Sequence, residues 1–482
     1  MFITLRFSIL LASAAFASAT VGATDANDDG KWLEAQMHKW QVPGVSVAIV
    51  RSGQAPVLLA RGLCDVEKQS LCTPDSPFHM GSTTKFVTGL LAATLAAERK
   101  LSLDEPLVKR WPEFRLSDPR WADITLTDLL SQRSGLGSVD WPYFWDHSLT
   151  RQDYIDRAAF FPIAKPFRSG WKYANANFVI AGAYLERVSG RTWETLVGDR
   201  VLGPLKLTNS GFYSPAGKTA GYVLNTQGQF VRAPFFNTPA IGPAGSLVTT
   251  ARDYARFLQM ALDSGKWQGR QVLPAAAVNA AMAPVISLSY DRRSYGPPGG
   301  YGLGVFFASH RNSTIVQHSG GYGGYSAHFA LLPQHKIGVA VFTNRAQTEF
   351  PHALFLGLID RALGLSGDEP LTRWLETDKA TQTVVAAARG PTRPLQEFVG
   401  KFRNLAWGVL EIYRTQDKLK IRYGPFDALL DHDGHSDFSF ESAPGWERLR
   451  LRFETEPEGN IRGFLMNDDN NVQMKKFERV AP

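Results

Sequence analysis

Ser82 and Lys85 stand three positions apart, directly before a segment with apolar residues at helical spacing. A serine hydroxyl is a poor nucleophile at neutral pH and needs a nearby base to take its proton. Side chains three positions apart on a helix lie on the same face, so Lys85 can supply that base. The positive end of the helix dipole also favours a developing alkoxide on Ser82. The spacing therefore predicts a nucleophilic serine, and the alternative is a serine that only caps a helix.

The same spacing occurs a second time, at Ser169 and Lys172. No apolar helical pattern follows this second pair, so the sequence predicts a loop there. Because so short a motif also arises by chance, Ser82 needs partners from elsewhere in the chain before it can be taken as a nucleophile.

A Tyr-x-Asn motif, formed by Tyr173 and Asn175, contains groups that can assist such a serine. It is the only Tyr-x-Asn in the sequence. A phenolate beside a lysine ammonium can act as a general base, and an asparagine amide can bind a substrate carbonyl and a lysine together. The alternative is a core tyrosine followed by a helix-capping asparagine.

A His-x-Gly motif, formed by His318 and Gly320 and followed by Gly321, ends a β-rich segment at a predicted glycine-rich turn. Glycine in such a place lets a substrate approach the strand backbone closely. His-x-Gly also begins at His79 and His432, so the motif alone is not specific.

In their order and spacing, the three motifs resemble those of the serine β-lactamase and penicillin-binding protein superfamily. That superfamily is marked by Ser-x-x-Lys, then Tyr-x-Asn or Ser-x-Asn, then Lys-Thr-Gly or His-x-Gly. With a tyrosine in the second motif, the chain resembles the class C-like branch of the superfamily. This branch includes class C β-lactamases, DD-peptidases, D-aminopeptidases and esterases. The resemblance covers roughly residues 28–365 and extends to the segments 129–136, 242–246 and 301–304.

The resemblance implies the catalytic roles of three residues. Ser82 would attack a carbonyl group and form an acyl-enzyme, which water then releases. Lys85 and Tyr173 would share the proton transfers, and which of the two is the acylation base stays open, because their titrations are coupled. No metal ion or organic cofactor is expected.

The resemblance also implies how substrate is held. Asn175, His318 and Gly320 are the expected substrate-binding residues, with His318 also able to relay a proton. The expected oxyanion hole consists of the backbone N–H groups of Ser82 and Gly321, and such donors are each worth about 10²–10³ in rate.

His318 is the point at which the chain departs from true β-lactamases, which have a lysine there. A neutral histidine attracts a β-lactam carboxylate less than a fixed ammonium does. We therefore expect hydrolysis of peptides that contain D-residues first, a carboxylesterase second and a class C-like β-lactamase third. A catalytically inactive binding or sensing module is the remaining alternative, because a fold does not fix a function.

The elements that must position these motifs indicate an α+β fold. Strands are predicted at 42–50 and 57–62 and again between 302 and 343, with mainly helical segments between them. The pattern predicts an antiparallel sheet flanked by helices, with an inserted all-helical subdomain. A cleft between these two parts is the expected site.

The domain boundaries follow from shifts in composition. A signal peptide is expected at 1–23, where Arg6 precedes a short apolar segment and small residues suited to cleavage. The β-lactamase-like serine hydrolase domain is expected over 24–365 and a linker with helix potential over 366–394. Short alternating strands over 395–482 predict a small all-β, lipocalin-like barrel.

Charge and cysteine content limit the partners and the compartment. The chain has 482 residues and a formal net charge of +7, without a block of like charges that would favour nucleic acid. No segment is apolar and long enough to predict a membrane span. The expected location is the periplasm or outside the cell, and the expected partner is a small-molecule or peptide substrate. The oligomeric state stays open. Cys64 and Cys72 are predicted either to form a disulfide or to be two buried thiols.

Overall fold

A computed structural model describes most of the chain. The described residues are 26–117, 119–212, 218–225, 227–288, 299–380, 393–443, 448–457, 459–467 and 475–480. The predicted signal peptide, residues 1–23, lies outside them.

The regular elements are numbered in chain order. The helices are α1 (Ala26–Lys39), α2 (Thr84–Ala97), α3 (Leu126–Leu130), α4 (Trp141–Trp145), α5 (Arg151–Arg157), α6 (Asn175–Ser189), α7 (Trp193–Val197), α8 (Gly242–Gly245), α9 (Ala251–Leu262), α10 (Ala275–Ala281), α11 (Phe350–Ala362) and α12 (Asp368–Ala380). The strands before the barrel are β1 (Gly44–Arg51), β2 (Val57–Asp65), β3 (Ser70–Leu71), β4 (Phe78–His79), β5 (Gly211–Phe212), β6 (Tyr222–Leu224), β7 (Phe230–Arg232), β8 (Leu247–Thr249), β9 (Lys266–Trp267), β10 (Arg270–Gln271), β11 (Ile286–Ser287), β12 (Gly300–Tyr301), β13 (Phe306–His310), β14 (Ser313–Tyr322), β15 (Tyr325–Leu332) and β16 (Ile337–Thr343). The strands of the barrel are β17 (Gly400–Asn404), β18 (Gly408–Thr415), β19 (Lys418–Tyr423), β20 (Phe426–Gly434), β21 (Asp437–Glu441), β22 (Arg448–Thr455), β23 (Ile461–Asn467) and β24 (Lys475–Arg479).

The central sheet is antiparallel and joins both ends of the first domain. Its strand order is β11-β12-β13-β14-β15-β16-β1-β2-β3, so β1 pairs with β16, and Ala48 lies opposite Ala340. The middle strands are apolar at nearly every position because helices cover both faces. Helices α1, α11 and α12 pack on one face, and α2, α9 and α10 belong to the core on the other.

The hairpin between β14 and β15 carries the third motif. Its two-residue turn consists of Gly323 and Gly324, which both have positive φ. Such a turn matches the twist of paired strands and favours glycine at both positions. The hairpin therefore places residues 318–321 at the end of β14, beside the start of α2.

The segment between β3 and β11 is mainly helical, as expected, and provides α2 to α10. Among the described residues it also contains short strands, in a β4-β8-β5 sheet and in the pairs β6-β7 and β9-β10. The sheet β4-β8-β5 contains Phe78 and His79, so it fixes the approach of the chain to Ser82.

The C-terminal module is a closed antiparallel barrel in which β17 pairs with β24. Alternate residues of its strands face inward, as Leu419 and Ile421 do in β19. The predicted α+β fold with a separate β-barrel is confirmed. In the predicted linker, residues 368–380 form α12, and Leu371 packs in the core with α11.

Cys64 and Cys72 are joined by a disulfide, the first of the two predicted alternatives. Both residues are buried, where β2 turns back towards β3. In the part of the chain that the structure describes, no helix is long and apolar enough to cross a membrane.

Candidate active site

Ser82 lies in a helical turn, Gly81–Thr83, that leads directly into α2. Its Oγ accepts hydrogen bonds from Lys85 Nζ at 2.9 Å and from Tyr173 Oη at 2.8 Å. Neither this turn nor α2 begins with a side-chain cap, so the hydroxyl faces two proton-carrying groups and does not cap a helix. The second Ser-x-x-Lys is confirmed as a loop, in which Ser169 is exposed.

The end of β14 packs backbone against backbone on the Ser82 turn. A Cβ atom on Gly320 would lie 2.0 Å from the carbonyl oxygen of Met80 and 3.0 Å from the Ser82 nitrogen. Gly81 has φ +51, and a Cβ there would lie 2.7 Å from the nitrogen of Gly321. Only glycine allows this approach, which brings together the two segments that contain the expected oxyanion-hole donors.

Lys85 is fully buried on α2 and donates three hydrogen bonds. The acceptors are Ser82 Oγ, Asn175 Oδ1 at 2.6 Å and the carbonyl oxygen of Ala244 at 2.8 Å. Burial lowers the pKa of Lys85 to about 7, and the negative charge of Asp140 opposes this shift. A substantial fraction of the amine is therefore neutral near pH 7 and able to accept a proton.

Tyr173 precedes α6 and lies beside the same lysine. Lys85 Nζ is 4.9 Å from the centre of the Tyr173 ring. Burial raises the pKa of Tyr173 above its ordinary value, although the hydrogen bond to Ser82 opposes the shift. The phenol consequently keeps its proton at neutral pH and is placed to donate it.

Asn175 begins α6 and connects Lys85 to a carboxylate that sequence analysis missed. Its Oδ1 accepts from Lys85, while its Nδ2 donates to Asp140 Oδ2 at 2.8 Å. Tyr154 Oη donates to Asp140 Oδ1 at 3.0 Å. Both ends of the Asn175 amide are thus oriented. Asp140 lies far from the three motifs in sequence, so no local spacing could reveal it.

His318 is buried on β14 and reaches its partners as a neutral ring. Its Nδ1 donates to the Ser319 carbonyl oxygen at 2.6 Å, which leaves Nε2 to accept from Tyr301 Oη at 3.2 Å. Burial lowers the pKa of His318 to about 3, and the charge of Lys85 acts in the same direction. Its ring centre lies 6.3 Å from that of Tyr173, so it lies beside the Ser82 site without bringing a positive charge.

His79 joins the two segments of the expected oxyanion hole. Its Nδ1 accepts a hydrogen bond from the Gly81 N–H at 3.1 Å, and its ring stacks on Tyr322 with centres 3.7 Å apart. Burial lowers the pKa of His79 to about 3, so Nδ1 stays free to accept. The sequence showed this residue only as a repeat of His-x-Gly, without a signal for its position.

Comparisons with known proteins agree with this fold. The family profile described as Beta-lactamase matches residues 31–363. An unguisins hydrolase of Aspergillus campestris is 24% identical over 428 residues, covering 81% of this chain and 78% of that protein.

Solved structures also resemble the chain. An octameric penicillin-binding protein homologue from Pyrococcus abyssi has a TM-score of 0.64 at 21% identity, covering 94% of this chain and 100% of that one. A D-stereospecific amidohydrolase from Streptomyces sp. has a TM-score of 0.55 at 25% identity, covering 67% of this chain and 94% of that one.

The Ser82 hydroxyl is hydrogen-bonded to a lysine and a tyrosine, and the fold is shared with hydrolases. Together these features define the protein as a serine hydrolase. The chain belongs to the Beta-lactamase family, whose profile matches more than half of its length.

Replacement of His79 tests how the turn at Ser82 is held. His79→Phe keeps a planar ring beside Tyr322 but removes the acceptor of the Gly81 N–H. We expect kcat to fall about tenfold with KM little changed, because the loss misplaces reacting groups rather than binding groups. Steady-state kinetics together with a thermal melt measure this.

His79→Asn is the matched control, because an asparagine oxygen can accept from the N–H two residues on. It should retain more activity than His79→Phe. Wild-type kcat in the Phe variant would show that His79 has no part in holding the turn.

Proposed function

We propose that this chain hydrolyses amide bonds in peptides that contain D-residues, through an acyl-enzyme on Ser82. The observation that carries the proposal is the double hydrogen bond on Ser82 Oγ, from Lys85 Nζ and Tyr173 Oη. One partner is a buried amine that can accept a proton, and the other is a phenol that can donate one. Acyl transfer needs both functions beside the nucleophile.

Acylation begins as neutral Lys85 takes the hydroxyl proton and Ser82 Oγ forms a bond to the substrate carbonyl carbon. The negative charge moves to the carbonyl oxygen, which the backbone N–H groups of Ser82 and Gly321 stabilise. Tyr173 then donates its proton to the leaving nitrogen as the C–N bond breaks. The phenolate regains a proton from the Lys85 ammonium, so the serine proton has passed to the leaving amine.

Deacylation uses the same groups with water in place of the serine hydroxyl. Lys85 takes a proton from water as its oxygen bonds to the acyl carbon. Tyr173 returns a proton to Ser82 Oγ as the ester bond breaks, and again recovers it from Lys85. The products are an amine and a carboxylic acid, and both residues end in their starting protonation states.

The neutral state of His318 supports a peptide over a β-lactam as substrate. A buried ring whose pKa lies at about 3 offers no positive charge to a β-lactam carboxylate near pH 7. The similarity to a D-stereospecific amidohydrolase supports D-configured peptides. An ester fits the same chemistry and ranks second, because an alkoxide leaving group also accepts the Tyr173 proton.

The proposal includes export, to the periplasm or beyond the cell. The basic and apolar residues of segment 1–23 have the composition of a signal peptide. The Cys64–Cys72 disulfide supports the same placement, because disulfides persist mainly in oxidising compartments.

A matched substrate panel tests the reaction. It contains dipeptides that differ only in D or L configuration at the residue before the scissile bond, a p-nitrophenyl ester and a chromogenic cephalosporin. We expect kcat/KM for the D-peptide to exceed that for the L-peptide by about tenfold or more, because chirality changes how the acyl group meets the site. The cephalosporin should be the poorest substrate.

Ser82→Ala should reduce every hydrolysis by about 10³ or more. Preference for the L-peptide or for the cephalosporin would contradict the substrate assignment. Activity that persists in Ser82→Ala would contradict the mechanism. If the wild type neither turned over any substrate nor reacted at Ser82 with a serine-directed phosphonate probe, a binding module would be favoured.

The pH dependence follows from the buried lysine. Because the pKa of Lys85 is lowered to about 7 and its neutral form is the base, kcat/KM should rise with pH to a plateau, with a midpoint near 7. Asp140→Asn removes the charge that opposes the shift, so the midpoint should move to lower pH. A profile that is flat between about pH 5 and 9 would contradict Lys85 as the base.

A further inference from the structure

The barrel encloses a tryptophan of the first domain. Trp145, at the end of α4, is 3% exposed and stacks on Phe426 of β20, with ring centres 4.5 Å apart and planes 13° apart. Its Nε1 donates to the carbonyl oxygen of Ser442 at 3.0 Å. The rings of Tyr423 and Phe440 lie at 6.0 and 5.9 Å. Trp145 is therefore anchored in the barrel by stacking and by a hydrogen bond.

A second contact connects the barrel to α5. Arg157 Nη1 donates to the carbonyl oxygen of Trp407 at 3.1 Å and to Tyr423 Oη at 3.0 Å. The same guanidinium lies 5.8 Å from the centre of the Tyr143 ring on α4. Arg157 thus contacts the barrel and the neighbouring helix together.

These two helices are the ones that hold Asp140. Asp140 is the residue before α4, and its carbonyl oxygen accepts from the Tyr143 N–H at 3.0 Å. Tyr154, on α5, donates to the Asp140 carboxylate. The Tyr143 and Tyr154 rings are 4.6 Å apart. The barrel therefore contacts both supports of the carboxylate that orients Asn175.

We propose that the barrel acts as a positioning domain for the active site. It anchors α4 through Trp145 and thereby holds Asp140 in hydrogen-bonding contact with Asn175. The inference rests on the proposed function, because it gives Asn175 and Lys85 their roles in acyl transfer. Trp145 is a positioning residue, because its ring contacts the barrel and it acts on the site only through Asp140.

A helix as short as α4 needs such an anchor. It has five residues, and so short a helix is not stable by itself in water, so its conformation depends on tertiary packing. Trp141 stacks on Trp145 at 5.7 Å within the same turn, so movement at the barrel end reaches the residue next to Asp140.

The test measures the rate at which a fluorophosphonate probe labels Ser82, as a function of pH, in the full-length protein. This readout does not depend on which substrate the enzyme prefers. Trp145→Ala should lower the labelling rate constant about tenfold. It should also move the pH midpoint downwards, because Lys85 loses the negative charge that raises its pKa.

A double-mutant cycle with Asp140→Asn separates positioning from general damage. If Trp145 acts through Asp140, adding Trp145→Ala to Asp140→Asn should change the rate by less than about twofold. Independent effects that multiply in the double variant would overturn the proposal.

Two further variants keep the test decisive if Trp145→Ala folds poorly. Trp145→Phe preserves a ring for Phe426 and should restore most of the rate and the wild-type midpoint. Phe464→Leu is the matched control, because Phe464 is buried in the barrel core beside Phe477, with ring centres 4.8 Å apart. It should lower the melting temperature while leaving the labelling rate and midpoint unchanged.

If Phe464→Leu lowered the labelling rate as much as Trp145→Ala does, the inference would be overturned, because general barrel stability would then explain both losses. Labelling at Ser82 that is unchanged in Trp145→Ala would overturn it while leaving the proposed function intact. Labelling that survives in Ser82→Ala would instead remove the proposed function itself.

Discussion

The burial of the Lys85 amine is the constraint on which the rest of the site depends. A lysine removed from water is unfavourable as an ammonium unless acceptors surround it, and it otherwise loses its proton. Here the acceptors come from the Ser82 turn, from Asn175 on α6 and from Ala244 on α8. Because these segments are distant in sequence, their helices must pack closely around one nitrogen atom. The same burial that constrains the fold also gives Lys85 a neutral form that can act as a base.

Close backbone packing supplies the other half of the site. Gly320 and Gly81 bring β14 and the Ser82 turn so near that any side chain would collide with a main-chain atom. His79 adds a ring stacked on Tyr322 and a hydrogen bond to the Gly81 N–H, which ties the two segments together. The negative charge that forms in acyl transfer would develop at this junction, so rigidity here serves chemistry more than stability.

Sequence reasoning found the groups that form local patterns and missed those that depend on tertiary structure. Ser82 and Lys85 follow from helical spacing, and Tyr173, Asn175 and His318 stand in short motifs. The resemblance to a known superfamily assigned their roles and added the backbone N–H of Gly321. Strand periodicity also predicted the sheet and the barrel, because alternation is a local property. Asp140, His79 and Trp145 gave no such signal, since their roles arise from contacts across the fold. Whether Cys64 and Cys72 form a disulfide could not be predicted for the same reason. Two cysteines eight positions apart fit either outcome until their strands are placed.

The central claim is that Ser82 carries the acyl group during turnover. Acid quenching of the enzyme during hydrolysis of a D-residue ester, followed by peptide mapping by mass spectrometry, tests it directly. The account predicts a mass increase equal to the acyl group on the peptide that contains Ser82, and none in Ser82→Ala. An acyl group on another residue, or the same adduct yield in Ser82→Ala, would contradict it.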